Sequence, residues 1–384
     1  MIKSISVKNF KGIKELGNLK LGSGATFVIG KNGAGKSTLI SVIYLTSKIV
    51  LHRSANIVLD EFVPFGSEEF LSHNSRGMTA EFCFVIKEKK TLYRYSYSIG
   101  VSHNAFIIAS EHLEEMQDEN TIKELIFERT GDGIVTSGGK IPLHVNSDEL
   151  VLSGYNEART RVLADSFKNY KVLWFNGNNA ESKFQIYNAD SLNRESLDAT
   201  AVRLYTQDKR AFDDATDVIK ALIPNFVPPE IRKLSPKEEV SGDSRYVVFW
   251  RESWQDGSSL SYTLPGLSGG NIRLIELIFA IFSSKDSTCL IGEELENGQY
   301  LGRIKGIVEM IKTASIRRRL QMIFTTHSDD VLRLVAPSDV IYVEKTSDGY
   351  SVFKHLDELD GVERVGKMLG EDPTMADLLE MGVL

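Results

Sequence analysis

A chain of 384 residues has room for roughly two or three domains, or for one large domain carrying an insertion. Hydrophobic residues at 42% and charged residues at 25% exclude wholesale disorder, and a net charge of −7 excludes coating of nucleic acid by bulk charge. The only cysteines, Cys83 and Cys289, are far apart, which excludes a CxxC zinc site and a disulfide framework and fits a reducing compartment.

Residues 2–10 alternate apolar and polar side chains, the pattern of a strand and not of a signal peptide. Gly12, Gly17, Gly22 and Gly24 punctuate the next stretch, 25–29 is a buried-strand candidate, and 37–48 has the spacing of a helix buried on most sides. Residues 56–79 read as loop. The runs 80–86, 92–101 and 106–113 predict an antiparallel meander, which 122–128 can extend; Tyr93, Tyr95 and Tyr97 fall on one face of it. Helical spacing covers 149–175 and 197–223, the second ended by Pro224, Pro228 and Pro229. Short strands follow at 246–250 and 260–264, then a helix at 268–282. That helix contains the apolar run 274–282, under half a membrane span and interrupted by Glu276, so a cytoplasmic protein with no membrane association is expected. A buried strand at 289–292, a helix at 301–314, a second buried strand at 322–325, a hairpin over 340–345 and 350–355, and a helical tail at 363–384 complete the reading. There is no internal repeat and no sustained heptad pattern.

Three motifs carry chemistry. Residues 30–37 read Gly-Lys-Asn-Gly-Ala-Gly-Lys-Ser, with an apolar strand before and an apolar helix after. Glycines at these positions let successive N–H groups turn inward around phosphates, and the helix start adds its positive end. Lys36 suits the β- and γ-phosphates and the Ser37 hydroxyl suits Mg²⁺. Next, Leu267-Ser268-Gly269-Gly270 precedes an apolar helix; Ser268 can cap it and the glycines can offer N–H groups to an anion, although such a turn is as often only a cap. Finally, two apolar strands end in polar groups: Glu293-Glu294-Leu295-Glu296-Asn297-Gly298 after 289–292, and Thr325-Thr326-His327-Ser328 after 322–324. In α/β sheets ligands bind at that strand edge, where one carboxylate can hold Mg²⁺ and the next can activate water, and a histidine can hydrogen-bond a phosphate.

In this order the motifs resemble the ABC-type ATPase heads of the RecF/SMC/Rad50 kind. They are more closely similar to prokaryotic AAA15/AAA21 ATPases of overcoming-lysogenization-defect (OLD) proteins and of anti-phage systems such as Septu and PARIS. The similarity covers roughly residues 1–50 and 260–345, including the opening run Ile5 to Ile13. It implies an α/β fold: a P-loop ABC-type head with a mixed sheet and an antiparallel β subdomain, plus an inserted, mainly helical subdomain. The implied division is 1–150 for the N-terminal half of the head, 151–235 for the insertion and 236–384 for the C-terminal half. The resemblance also implies ATP and Mg²⁺ as ligands. Carried over, Gly30, Asn32, Gly33, Ala34, Gly35, Lys36, Ser37 and Thr38 form Walker A, and Leu267, Ser268, Gly269 and Gly270 the signature. Glu294 becomes the catalytic glutamate, His327 the switch histidine, Ser37 and Glu293 the metal ligands, and Phe10 and Lys11 neighbours of the base or ribose. Glu293 stands where the family has aspartate, Leu295 replaces the usual proline, and no glutamine within 56–70 marks a Q-loop.

The resemblance further implies a homodimer or higher homo-oligomer, in which one copy's signature completes the ATP site of another. About forty residues follow the 340–345 strand, too few for a nuclease domain, so an effector protein such as a nuclease or toxin would be separate, with DNA or a phage protein as trigger. The expected function is an ATP-hydrolysing switch in an anti-phage or toxin–antitoxin module; the alternative is a RecF-like repair ATPase that binds DNA directly, which the acidic composition disfavours. A transporter subunit fits the meander and the RecF-like opening poorly. The run Arg317-Arg318-Arg319 reads as a solvated helix end more readily than as a DNA contact.

Overall fold

The structure is a computed structural model that describes residues 1–62, 69–72, 79–102, 105–130, 133–142, 145–173, 187–188, 196–234, 245–359, 361–362 and 378. Its elements in chain order are β1 (Ile2–Phe10), β2 (Ile13–Lys20), β3 (Ala25–Ile29), α1 (Lys36–His52), α2 (Ala55–Phe62), β4 (Ala80–Glu88), β5 (Thr91–Ser102), β6 (Ala105–Met116), β7 (Ile122–Thr130), β8 (Gly133–Thr136), β9 (Gly139–Pro142), α3 (Val151–Gly154), α4 (Ala158–Lys168), β10 (Lys171–Leu173), β11 (Tyr187–Asn188), α5 (Leu197–Gln207), α6 (Lys209–Leu222), β12 (Phe226–Lys233), β13 (Arg245–Ser253), β14 (Ser259–Tyr262), α7 (Gly269–Phe282), β15 (Cys289–Gly292), α8 (Leu301–Arg317), β16 (Gln321–Thr325), α9 (Asp329–Leu332), β17 (Val340–Lys345) and β18 (Ser351–His355). The tail expected to be helical lies, but for a few residues, outside the described ones. The chain divides into two compact units, one of Met1–Lys171, Ser287–Glu293 and Gln321–Leu384, the other of Val172–Asp286 and Glu294–Leu320.

The first unit holds two sheets. One is antiparallel, ordered β2-β1-β4-β5-β6-β7-β8-β9. The alternation in β5 puts Tyr93, Tyr95 and Tyr97 on a buried face, as the sequence predicts. That face packs on helices: Tyr97 Oη and Thr46 Oγ1 of α1 share a buried hydrogen bond of 2.7 Å, and Phe167 of α4 lies against Phe84 and Tyr95. The hairpin partner β2 is not foreseen, because its charged and glycine residues read as turn; only Ile13, Leu16 and Leu19 face the core.

The other sheet runs β15-β16-β3-β17 in parallel, with β18 antiparallel on β17. Strands buried on both faces need continuous apolar runs, which Cys-Leu-Ile and Met-Ile-Phe supply. One fully buried side chain ties the sheets together. Gln321 Nε2 donates to the carbonyls of Ile2 (2.7 Å) and Gly22 (2.8 Å), and its Oε1 accepts from Ile2 N (2.8 Å). A buried amide with all these bonds made fixes register as well as position.

In the second unit the helical stretch 197–223 is two helices. Asp208 ends α5 and caps α6, accepting from Ala211 N at 3.0 Å. Phe212, Trp250 and Phe279 form the aromatic centre, with Trp250 Nε1 donating to buried Asp198 at 2.9 Å. The helical stretch ends at Leu222, ahead of its three prolines, and a strand then takes in Pro228 and Pro229. They sit inside β12 at a register shift between Val227 and Glu230, where no ladder N–H is required of them. The helical spacing over 149–175 resolves into α3, α4 and the short strand β10. Arg318 is anchored: its guanidinium donates to Phe282 O at 3.0 Å at the end of α7 and lies over the Phe282 ring.

Glu111 is buried in the first unit, accepting from Val151 N, Leu152 N and Tyr95 Oη. Burial outweighs these bonds and lifts its carboxyl from 4.5 to about 7. Between those values the native chain keeps a proton that the unfolded chain has released. Its contribution to stability is therefore complete below 4.5 and lost as pH rises through about 7. Thermal melts across that window should show a falling midpoint, and Glu111→Gln should remove part of the slope; an unchanged slope contradicts this account.

Candidate nucleotide site

Three neighbouring parallel strands end on one edge. Val28 of β3 pairs with Thr325 of β16, and Phe324 of β16 pairs with Gly292 of β15. The residues that follow these strands are Gly30, Thr326-His327 and Glu293, so the first unit brings the glycine loop, the histidine and one carboxylate to the same edge. Thr326 N donates to Val28 O at 3.1 Å and keeps the pairing going past the strand end.

The glycine loop is shaped as a cradle. Gly35 has φ +116°, in the left-handed region, and caps α1 with no side-chain hydrogen bond to the first-turn N–H groups. A Cβ on Gly35 would lie 2.2 Å from Ser351 Oγ on β18, so the loop is pressed on the hairpin and no larger residue fits. Lys36 Nζ donates to the carbonyls of Gly30 (2.8 Å) and Lys31 (3.1 Å), which holds its charge over the loop. Asn32, Gly33 and Ser37 are exposed, Ala34 is buried, and Thr38 N donates to Gly35 O. A helix start, an ammonium and an exposed hydroxyl on one loop suit a polyphosphate with a divalent cation.

Phe10 ends β1 and Lys11 follows it into the turn before β2. The Phe10 ring is fully buried, edge-on to Phe70 and Phe82, and presents no surface to a base. Its aromatic type in an alternating strand signals core as much as site. Lys11 adopts φ +48° and its N–H donates to Phe70 O; burial pushes its ammonium down, partly offset by Glu69.

The second unit brings together the Leu-Ser-Gly-Gly turn and the acidic turn. Leu267 is buried and anchors the turn, while Ser268 and Gly269 are exposed. Ser268 caps α7, its Oγ accepting from Asn271 N at 3.3 Å. Glu294 is exposed, holds φ +50°, and accepts from Asn297 Nδ2 at 3.1 Å. The two turns touch backbone to backbone: a Cβ on Gly270 would lie 2.0 Å from Gly298 O. Gln299 Nε2 donates to Gly270 O at 2.7 Å, and Arg303 Nη1 donates to Asn271 Oδ1 (2.9 Å) and Gln299 Oε1 (3.2 Å). Sequence reasoning misses Asn271, Gln299 and Arg303, because nothing in the local pattern marks them. The unit boundary falls between Glu293 and Glu294.

A strand–glycine loop–helix at the carboxyl edge of a parallel sheet, flanked by an acidic strand and a Thr-His strand and joined to an antiparallel sheet, defines a P-loop head of the ABC type. The family model described as "AAA domain, putative AbiEii toxin, Type IV TA system" matches residues 25–333, and the chain belongs to that family. Among solved structures, an SMC head bound to the C-terminal winged-helix domain of ScpA is similar over 93% of this chain and 98% of its own, at 14% identity and a TM-score of 0.56. The Pyrococcus furiosus SMC head with an extended coiled coil, bound to the C-terminal domain of ScpA, is similar over 96% and 98%, at 13% identity and a TM-score of 0.53. At that identity the likeness is one of fold. No curated protein matches the chain at a significant level. Among the described residues no helix is long and apolar enough to cross a membrane.

Gly270→Ala forces backbone apart at the contact with Gly298 and should cost about 1–3 kcal/mol in urea unfolding. ATP binding to the glycine loop should survive, since the loop lies in the other unit. Equal loss of both would contradict the separation.

Proposed function

We propose that this chain is a Mg²⁺-dependent switch ATPase that pairs with a second copy around ATP and controls a separate effector protein. The single observation that carries the reading is the loop: Gly35 left-handed at the start of α1, with the Lys36 ammonium fixed by the Gly30 and Lys31 carbonyls. Family membership and the SMC-head fold support it.

In this reading residues 30–38 hold the phosphates, and Ser37 with Glu293 hold Mg²⁺, which supplies charge neutralisation on the phosphate oxygens. Glu293 stands in for the family's aspartate. Its longer side chain reaches further from the strand end, so turnover is expected to differ in metal preference from aspartate-bearing relatives. Glu294 orients the attacking water and takes its proton, and His327 donates a hydrogen bond toward the phosphate. Ser268, Gly269 and Gly270 present helix-start donors to the ATP of the second copy. ATP binding then closes the pair and hydrolysis releases it.

The output is proposed to be control of a nuclease or toxin in an anti-phage or toxin–antitoxin module. The family's description ties it to a toxin–antitoxin system, and the similar SMC heads were solved with a protein partner. Residues 151–235 are proposed to sense the trigger, DNA or a phage protein. Of the run Arg317-Arg318-Arg319, Arg318 is engaged at the end of α7, which leaves two exposed arginines as a narrow basis for direct DNA binding of the RecF kind.

Lys36→Ala should abolish binding of a fluorescent ATP analogue; retained binding refutes the loop assignment. Glu294→Gln should lower hydrolysis by about 10²–10⁴-fold while ATP shifts the protein to a dimer in light scattering. An unchanged oligomer distribution with ATP refutes the shared site.

A further inference from the structure

Arg303 stands in the first turn of α8 and only 8% of its surface is exposed. Among the described residues its partners are two side-chain amides, Asn271 and Gln299, and the Tyr300 ring 4.8 Å away; none is a carboxylate. Its Nε is buried with no hydrogen-bond partner. Burying a guanidinium without a counter-charge is costly, and an apolar side chain of similar volume would pack at lower cost. The charge therefore points to a role other than packing.

That role follows from what the two amides join. Asn271 N donates to Ser268 Oγ, and Asn271 Oδ1 accepts from Arg303. Gln299 accepts from the same Arg303 nitrogen and donates back to Gly270 O. Gln299 N donates to Glu296 O, and Asn297 donates to both the carbonyl and the carboxylate of Glu294. Hydrogen bonds and two short backbone steps thus run from the signature serine to Glu294, with Arg303 at the crossing. The direct seating of Gly270 on Gly298 leaves the two turns no room to slide. A buried cation under the first turn of α7 also adds to the positive field that an approaching phosphate meets.

We propose that Arg303 is a positioning residue that braces the signature turn to the acidic turn of the same chain, so that Ser268 to Gly270 are held in shape to receive the ATP of a second copy. The proposal rests on the shared-site reading above. In a head-to-tail pair it makes each chain's Glu294 and its signature move as one piece, and so couples the two ATP sites.

The test uses the full chain in the Glu294→Gln background, with Arg303→Met, Arg303→Lys and Gln299→Leu added singly, and Arg303→Met with Gln299→Leu together. Two readouts are taken: affinity for a fluorescent ATP analogue, and the protein concentration at which ATP gives half dimer. Expected is a rise of about tenfold or more in that concentration for Arg303→Met and for Gln299→Leu, with ATP affinity kept within about twofold and the double variant no worse than the single ones. Arg303→Lys, which keeps the charge but cannot span both amides, should fall between. In wild-type background, Arg303→Met should also bring the ATP dependence of hydrolysis closer to non-cooperative. Dimerisation equal to that of Glu294→Gln alone, or a parallel loss of ATP affinity, overturns the brace; Gln299→Leu decides the matter if Arg303→Met does not fold. If Glu294→Gln itself fails to dimerise with ATP, the shared-site reading is what has failed, and the role given to Arg303 falls with it.

Discussion

The parallel register of β15, β16 and β3 is the constraint on which the first unit's site depends. Because Gly292 lies opposite Phe324 and Thr325 opposite Val28, three segments far apart in sequence end side by side. A slip of one residue in any pair would turn a buried strand residue into the edge and pull a polar group into the sheet. The fully buried Gln321 resists that slip. It stands at the start of β16 and spends its hydrogen bonds on Ile2 and Gly22, so the position of the histidine-bearing strand is set by the first strands of the chain.

The second unit solves a related problem with different means. Its Leu-Ser-Gly-Gly turn has few side chains to hold it, since two glycines follow Ser268. Rigidity comes from behind, through backbone contact with Gly298 and the amides organised by Arg303. Both units show the same trade. Glycines shape each turn at a cost in conformational entropy, and a neighbouring element then confines them: β18 at Gly35, the acidic turn at Gly270.

Much of this was legible in the sequence. The glycine loop reads directly as the link between a buried strand and a helix, because its residues stand at fixed spacing in one contiguous stretch. The buried strands read as apolar runs, and β5 read as an alternating strand with its tyrosines inward. What failed to read had local chemistry that pointed the wrong way. β2 carries glycine and charge because its outer side faces water, and β12 contains two prolines that a bulge absorbs. The packing of Phe10 in an aromatic cluster depends on Phe70 and Phe82, distant in sequence.

The sequence by itself determined the local motifs: a glycine loop between strand and helix, a capped glycine turn, two strands ending in carboxylates and a histidine, and their order along the chain. These are properties of short contiguous segments, where spacing alone fixes which groups can act together. Only the tertiary structure decided that Arg303 is buried, that it faces Asn271 and Gln299, and that Gly270 rests on Gly298. Asn271 lies 32 positions from Arg303, and side-chain amides carry no periodic or compositional signature, so this junction exists only once the chain has folded.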